Sequence, residues 1–404
     1  MDDVSYLLSA RAVRERSHQL LALGLADKLP HFRIDIARLD AIADVVLDVT
    51  RKAYPDGEVP FHSRWRHFVV GGVDRWAAIA DKVNWPNAAS RARAEFDLAI
   101  ASVLLDAGAG AAWRHHDEAS GFSVGRSEGL ALASLEMFAS GAFSSNASDP
   151  LRADAARLRQ LTVADLERGF QVGADNPLVG LEGRVELLRR LGAVVAASPE
   201  VFGAKDGPRP GGLFDRLAAG GRIEAPSILQ QVLRQLGPIW PSRLTLHGTA
   251  LGDCWRHPSL ITDDATTGLV PLHKLSQWLS YSLIEPLQRA GLVVDNIDGL
   301  TGLAEYRNGG LFVDGGVLSL RDPADAARVH EVDSPLVVEW RALTVALLDR
   351  LAELIRRRTG QTAEQLPLAR ILEGGSWAAG RKLAFARRPD GSPPLTILTD
   401  GTVF

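Results

Sequence analysis

A helical repeat of apolar residues runs through most of this chain and constrains its fold more than any other feature. Between Val4 and Leu23, and again between Asp35 and Arg51, apolar side chains recur three or four positions apart with charges between them. This spacing predicts amphipathic helices. The same pattern occurs in residues 88–105, 128–139, 181–197, 226–236, 271–290, 336–358 and 362–372. Strands do not alternate with these segments, so a parallel nucleotide-binding sheet is not expected.

Strand patterns are few and lie late in the chain. Leu311–Val313 and Val317–Leu320 flank Asp314-Gly315-Gly316, a sequence typical of a hairpin turn. The sequence therefore predicts a mostly α fold, a compact multi-helix domain with short β-hairpins near residues 309–320 and 394–404. One predominantly helical domain over residues 1–404 is expected. A division of this domain into two lobes near residues 203–212 is left open.

Composition excludes several classes of protein. The 45 basic and 49 acidic residues give a net charge of −4, which provides no cationic field for nucleic acid. No apolar stretch approaches the roughly 20 residues that span a bilayer, and the acidic start Met1–Val4 does not resemble a secretory signal. Cys254 is the single cysteine, so internal disulfides and multi-cysteine metal sites are excluded. We expect a cytoplasmic protein without nucleic-acid or membrane partners.

The tripeptide Trp-Arg-His occurs three times, in residues 65–67, 113–115 and 255–257. An indole can stack on a flat ligand group, an arginine can bind phosphate or carboxylate, and a histidine can relay a proton near neutral pH. These properties favour a ligand-binding role. A purely structural interpretation is equally open, in which each tryptophan packs in the core while the arginine pairs with a carboxylate or carbonyl groups.

The segment Gly252–Pro258 combines the most functional side chains in the shortest span. It lies between two predicted helices, and Pro258 prevents helix continuation, so a loop is expected there. Asp253 is a candidate base, and it could equally pair with Arg256. A metal site on Cys254 and His257 would need a further ligand that the sequence does not indicate, so no metal is expected.

Two further segments carry candidate binding groups. Glu305-Tyr306-Arg307-Asn308 precedes Gly309-Gly310, with Asp314 a few residues later, and glycines allow a ligand to approach the backbone closely. Glu305 could act on water or a sugar hydroxyl, or form an ion pair with its neighbouring arginine. In residues 62–68, Arg64 and Arg66 flank Trp65 and could clamp an anion.

Taken together, several motifs resemble the uracil-catabolism family of the URC-four or URG-three type. The resemblance runs along nearly the whole chain and rests on Ser63–Phe68, Arg126–Ala131, Asn176–Arg184, Gly252–His257, Glu305–Leu311 and Thr399–Phe404. Trp113-Arg114-His115 departs from the family's Trp-x-Tyr, which weakens a role for His115. The stretch Glu305–Arg307 is also similar to an acidic-Tyr-Arg stretch of queuosine nucleoside N-glycosylases.

The resemblance implies a role in a pathway that opens the ring of a uracil nucleotide and releases urea through a ribosylurea-type intermediate. On this basis the sequence suggests a hydrolase that cleaves the N-glycosidic bond of a ribosylurea-like substrate, phosphorylated or not, without a cofactor. Asp253, Glu305 and His257 are the candidate catalytic residues. The candidate substrate-binding residues are Arg64, Trp65, Arg66, His67, Trp255, Arg256, Tyr306, Arg307 and Asp314.

Two alternatives remain open at this point. The chain could be an amidohydrolase-like enzyme that acts on an opened ureido ring, which would leave the sugar–nitrogen bond intact. It could also be a non-enzymatic partner of the cyclohydrolase-like enzyme of the pathway. The apolar helices predicted at residues 271–290 and 336–358 would suit an interface as readily as a core, so a homo-oligomer is also open.

Overall fold

The computed structural model of the protein describes residues 2–106, 108–110, 112–204, 207–240 and 244–398. Helices dominate these ranges, and the predicted mostly α fold class is confirmed. The α-helices are Asp3–Leu7, Ala10–Leu25, Leu39–Ala53, Arg75–Ala80, Ala88–Leu104, Arg126–Ala139, Ala155–Leu158, Val163–Gly169, Leu181–Ala197, Pro199–Phe202, Gly212–Ala218, Ala225–Leu236, Lys274–Arg289, Tyr306–Asp314, Pro335–Thr359, Leu368–Ile371 and Trp377–Arg387. Short 3₁₀ helices are Ile36–Arg38, Arg64–Phe68, Gly237–Ile239, Ile297–Gly299 and Pro323–Ala327, and Leu372–Ser376 forms a π-helical turn.

The strands of the described ranges are two or three residues long and pair two by two. The antiparallel pairs are Phe32–Ile34 with Leu318–Leu320, Val69–Val70 with Val73–Asp74, His115–Asp117 with Phe122–Val124, Gly203–Ala204 with Gly207–Pro208, Thr245–Leu246 with Thr249–Ala250, and Cys254–Arg256 with Leu269–Pro271. The parallel pairs are Arg222–Glu224 with Val293–Asp295 and Val329–Glu331 with Thr396–Leu398.

Local sequence signals explain where several helices begin and end. The Asn87 side chain accepts a hydrogen bond from the Ser90 backbone and begins helix Ala88–Leu104, as expected for an N-cap. Thr162 and Asp165 form a capping box at the start of helix Val163–Gly169. Helix Pro335–Thr359 starts with proline after the Ser334 cap and ends at Gly360, whose φ of 69° suits glycine.

The chain divides into two units that are interleaved along the sequence. Among the described residues, the first unit contains those of 2–62, 244–277 and 296–398, and the second contains those of 63–240 and 278–295. In the first unit, Pro335–Thr359 packs against Ala10–Leu25, and Tyr306–Asp314 packs against Trp377–Arg387. In the second unit, Ala88–Leu104 contacts Arg126–Ala139 and Gly212–Ala218. Residues 203–212 lie inside the second unit.

The predicted hairpin near residues 309–320 is wrong. Residues 306–314 form a helix whose N-cap is Glu305, and Leu318–Leu320 pairs with Phe32–Ile34. The capping carboxylate starts the helix, and an added Cβ on Gly309 would lie 2.7 Å from the Trp340 ring. Gly309 thus permits close helix packing, and the glycines that suggested a turn end this helix instead, with Gly315 as its C-cap and Gly316 at a φ of 75°.

The predicted hairpin near residues 394–404 is described only in part. Thr396–Leu398 is a strand, but it pairs in parallel with Val329–Glu331, and residues 399–404 lie outside the described residues. The segment expected to be a loop at Gly252–Pro258 contains strand Cys254–Arg256. Within the described ranges, no helix combines the length and hydrophobicity needed to cross a membrane.

Replacing either of two glycines in helix Leu181–Ala197 by alanine is expected to change the stability of the protein in opposite directions. An added Cβ at exposed Gly183 meets nothing within 4 Å, whereas at Gly192 it would lie 2.9 Å from the Arg159 backbone nitrogen and the Leu158 side chain. We expect Gly183→Ala to stabilise the protein by up to about 1 kcal/mol, because alanine loses less entropy in a helix. Gly192→Ala should destabilise it by about 1–3 kcal/mol through overpacking. Denaturant unfolding checks both variants, and equal effects would contradict this packing.

Candidate active site

The candidate residues are distributed over both units. The first unit contains Asp253, Trp255, Arg256, His257, Glu305, Tyr306, Arg307 and Asp314, and the second contains Arg64, Trp65, Arg66 and His67. The expected meeting of the two groups around one substrate stays a prediction.

Asp253 accepts hydrogen bonds from four donors at the start of helix Lys274–Arg289. Its Oδ1 accepts from Trp255 Nε1 at 2.6 Å and from Arg341 Nη1 at 2.8 Å. Its Oδ2 accepts from Arg341 Nη2 at 2.8 Å and from the Lys274 backbone at 2.9 Å. Burial alone would raise the pKa of this carboxyl, but the Arg341 charge and the donors hold the pKa below its usual range. Asp253 is therefore a bound carboxylate.

Arg341 connects Asp253 to the segment that carries Glu305. This guanidinium is only 1% exposed, and its Nε donates to the Ala304 carbonyl oxygen at 3.2 Å. The two nitrogens that bind Asp253 make a bidentate ion pair, the geometry in which arginine fixes a carboxylate most firmly. The residue before Glu305 is thus held by the same side chain that holds Asp253.

Glu305 is a buried carboxyl at the N-terminus of helix Tyr306–Asp314. Its Oε2 accepts from the Arg307 backbone at 2.8 Å and its Oε1 from the Asn308 backbone at 2.5 Å. Burial raises the pKa of Glu305, opposed by these two donors and by the positive charges of Lys274 and His62. The carboxyl is held in one orientation and retains a proton more readily than an exposed glutamate.

A histidine–carboxylate pair formed by His62 and Glu373 also lies in the first unit. His62 Nδ1 is 2.8 Å from Glu373 Oε2, and Tyr54 donates its hydroxyl hydrogen to Glu373 Oε1 at 3.1 Å. Glu373 belongs to the π-helical turn Leu372–Ser376. Turns of this kind are rare and are frequent at functional sites.

The π-helical turn also contacts the helix that Glu305 begins. Ser376 donates its hydroxyl hydrogen to Asn308 Oδ1 at 2.9 Å, and both side chains are buried. Gly375 permits close packing of the same turn against helix Leu39–Ala53, because an added Cβ would lie 2.6 Å from the Val46 carbonyl oxygen. One turn therefore positions the partner of His62 and a neighbour of Glu305.

His257 and Trp255 lie inside the first unit. His257 is fully buried, with Nε2 3.2 Å from Glu339 Oε2 and Nδ1 accepting from the Ser259 backbone at 3.3 Å. Glu339 also accepts from the Phe32 backbone at 2.8 Å. Trp255 is 2% exposed and donates to Asp253. These contacts support a packing role for both side chains.

The other candidates of the first unit differ in their surroundings. Arg307 is buried, lies 4.9 Å from the centre of the half-buried Tyr306 ring and donates to the Gly391 carbonyl oxygen at 2.8 Å. Asp314 forms a bidentate ion pair with Arg388, at 2.8 and 2.6 Å. Arg256 is exposed on strand Cys254–Arg256.

In the second unit, the arginines of the Ser63–Phe68 motif are ion-paired. Arg64 is fully buried and donates to Asp106 at 2.6 Å and to the Ser102 hydroxyl at 2.7 Å; its burial lowers the pKa of the guanidinium. Arg66 donates to Glu285 at 2.7 Å. These contacts agree with the structural interpretation of the tripeptide.

The aromatic members of the tripeptides pack in the same way. Trp65 donates to the Ser282 carbonyl oxygen at 2.7 Å, and the His67 ring lies 5.5 Å from that of Trp278. Trp113 of the second copy is fully buried and donates to the Phe170 carbonyl oxygen.

Sequence reasoning missed Arg341, Lys274, Tyr54 and Glu373, and it mentioned His62 without a role. Lys274 could have been noticed from the sequence, because lysine is rare in this chain: only six of the 45 basic residues are lysines. Glu373 precedes the glycine pair Gly374-Gly375, another local signal. The contacts of Arg341 and His62 join residues that are far apart in sequence, so no local sequence signal pointed to either residue.

The described residues contain no group of three or more histidine, cysteine, aspartate or glutamate side chains that could hold a metal ion. Cys254 is buried, and its burial raises the pKa of the thiol well above its usual value. A thiolate nucleophile is therefore disfavoured at this position.

Comparison with known proteins gives full-length matches. The family described as "Protein of unknown function (DUF1688)" matches residues 6–404. The chain is 39% identical over 414 residues to "Protein urg3" of Schizosaccharomyces pombe, covering 100% of this chain and 99% of that protein. It is 34% identical over 440 residues to "Uracil catabolism protein 4" of Lachancea kluyveri, covering 99% of each. The family resemblance predicted from the motifs is confirmed.

Proposed function

The chain belongs to the DUF1688 family, and from this premise we propose that it acts in uracil catabolism, as the name of its Lachancea relative suggests. We propose further that it is a hydrolase that cleaves the bond between the sugar C1′ and the ureido nitrogen of a ribosylurea-like substrate. The products are urea and the free sugar, or its phosphate.

The observation that carries this proposal is the buried Glu305 carboxyl, which two backbone N–H groups of its own helix hold in one orientation and whose pKa is raised by burial. Urea is a poor leaving group as an anion, so its nitrogen must receive a proton as the C1′–N bond breaks. A carboxyl that keeps its proton to higher pH than an exposed glutamate is suited to this donation. Glu305 becomes a carboxylate as positive charge develops on the sugar, which it then stabilises.

The proposed reaction balances with one water molecule. Water forms a bond from its oxygen to C1′, and the C1′–N bond breaks with its electron pair on nitrogen. Glu305 donates a proton to that nitrogen, and a base accepts a proton from the water. Exchange with solvent restores both groups, so the enzyme returns to its starting state.

We assign Asp253 a positioning role, although the sequence suggested that it acts directly. Its four hydrogen bonds use both carboxylate oxygens, and it acts on Glu305 through Arg341 and the Ala304 carbonyl oxygen. Tyr306 and the exposed Arg256 remain candidates for substrate contact in the first unit. Arg64, Trp65, Arg66 and His67 remain candidates from the sequence.

The test is turnover of ribosylurea by the purified chain, with urea measured by a urease-coupled assay and the sugar by its reducing end. We expect equal amounts of both products from the isolated protein. An amidohydrolase would instead release ammonia from the ureido group without urea. A non-enzymatic partner would show no turnover unless the cyclohydrolase-like enzyme were added.

A further inference from the structure

We infer that His62 is the general base that accepts a proton from the attacking water, and that Glu373 and Tyr54 are its positioning residues. This inference rests on the proposed hydrolysis and deepens it, because it supplies the second proton-transfer group that the reaction requires. His62, Glu373 and Tyr54 all belong to the first unit, as Glu305 does.

The contacts of His62 orient its ring. The 2.8 Å contact joins Nδ1 to Glu373 Oε2, so Nδ1 carries the hydrogen and Nε2 is the nitrogen that can accept a proton. The His62 backbone donates to the Ala369 carbonyl oxygen at 3.0 Å. Both the ring and the chain around it are therefore held in place.

Glu373 is itself fixed by packing. The Tyr54 hydroxyl donates to its second oxygen at 3.1 Å, and its side chain is 16% exposed, against 12% for His62. The π-helical turn that carries it lies against helix Leu39–Ala53, where an added Cβ on Gly374 would meet Thr50 at 2.9 Å. Such a pre-oriented carboxylate holds an imidazole in one tautomer and stabilises its protonated form.

The same turn relates this pair to Glu305. Ser376 binds Asn308, and the Asn308 backbone donates to Glu305, so a short chain of contacts connects the turn with the proposed acid. All of these residues belong to the first unit, so the His62–Glu373 pair and the proposed acid lie on elements that are in contact. An acid and a base carried by elements in contact fit a reaction with one proton donated and one accepted.

A second histidine–carboxylate pair in the first unit serves as a matched control. His18 Nε2 lies 2.9 Å from Asp349 Oδ2, a distance close to that of the His62 pair. Arg14 also binds Asp349, at 2.9 Å, so this carboxylate already has a cationic partner. We assign the His18 pair no part in catalysis.

The experiment measures kcat and KM for urea release by His62→Gln, Glu373→Gln, Tyr54→Phe, the double variant His62→Gln/Glu373→Gln, and His18→Gln. We expect His62→Gln to lower kcat by about 10²–10³-fold with KM changed only a few-fold. Tyr54→Phe should lower kcat by less than about 10-fold. The double variant should match His62→Gln, because residues that act as a unit are not additive. His18→Gln should keep the wild-type kcat.

A further variant separates a base from a merely structural residue. His62→Gly should recover part of its lost kcat on addition of imidazole, and this rescue should disappear when Glu373→Gln is added, since no carboxylate would then orient the imidazole. Independent, multiplying effects of His62→Gln and Glu373→Gln, or wild-type kcat in His62→Gln, would overturn the inference while leaving the proposed hydrolysis standing. A wild-type protein that releases no urea would overturn both.

Discussion

Replacing Glu305 by glutamine is expected to lower kcat for urea release by about 10²–10⁴-fold, the usual contribution of a general acid. Glutamine keeps an oxygen that can accept from the helix backbone, but it cannot donate a carboxylic proton to the leaving nitrogen. The loss should therefore appear in kcat with little change in KM. Steady-state kinetics of the purified variant, with circular dichroism to confirm its helical content, is the measurement.

A second capping carboxylate in the first unit is the control for this variant. Asp322 caps the short helix Pro323–Ala327 and accepts from the Ala324 backbone at 3.0 Å. It is exposed, and Asp322→Asn should leave kcat unchanged. If Glu305→Gln also turns over at the wild-type rate, Glu305 is only a helix cap and the proposed acid is another group.

The raised pKa of Glu305 also predicts how the free energy of unfolding depends on pH. Because burial raises its pKa in the folded protein, the folded state keeps this proton to higher pH than the unfolded chain. The stability contributed by the group is fully present below the ordinary value of 4.5 and is lost as the pH rises through the folded-state pKa. The free energy of unfolding should therefore fall more steeply with rising pH in the wild type than in Glu305→Gln.

The second large effect is expected on stability, from removal of the carboxylate that pairs with Arg341. Asp253→Ala leaves a guanidinium that is 1% exposed without its bidentate partner. Loss of one member of a buried ion pair costs about 3–5 kcal/mol. Urea-induced unfolding measures this difference. A cost below about 1 kcal/mol would mean that the pair is effectively solvated.

The pH dependence of this pair has the opposite sign to that of Glu305. The pKa of Asp253 is held below the ordinary value of 3.8, although burial opposes this. Its contribution is present above the ordinary pKa and is lost as the pH falls through the lower folded-state value. Asp253→Ala should thus lose less stability than the wild type on acidification. The exposed ion pair of Arg350 and Glu353, at 3.4 Å, is the control, and Glu353→Ala should change stability little.

The helical part of the fold was predictable because amphipathic periodicity is a local signal. The predicted segment 181–197 coincides with helix Leu181–Ala197, and the predicted segment 88–105 exceeds helix Ala88–Leu104 by one residue. The end of helix Tyr306–Asp314 was mistaken for a hairpin strand because Leu311–Val313 precede the turn-like sequence Asp314-Gly315-Gly316. Gly309 in this helix is explained by the close approach of Trp340, a contact that no local pattern reveals.

The candidate site was predictable only where its residues form a compact motif. Glu305 stood out beside Tyr306 and Arg307, but its surroundings depend on Lys274 and His62, which are distant in sequence. The π-helical turn that carries Glu373 has no periodic signature of its own. This turn can be recognised only from the packing of Gly374 and Gly375 against helix Leu39–Ala53.

The repeated Trp-Arg-His tripeptide illustrates the same limit. Trp65 and Trp113 donate to backbone carbonyl oxygens, whereas Trp255 donates to the Asp253 carboxylate. One short sequence thus has different partners in different settings. A repeated motif alone therefore does not establish a common function.

The most direct test of the proposed bond cleavage uses ribosylurea labelled with carbon-13 at C1′ and nitrogen-15 at the nitrogen attached to it. Nuclear magnetic resonance then follows the one-bond coupling between the two labels during turnover by the purified protein. We predict that the coupling disappears while the nitrogen-15 appears in urea. Nitrogen-15 recovered as ammonia without labelled urea, or a coupling that persists, would contradict cleavage between the sugar and urea.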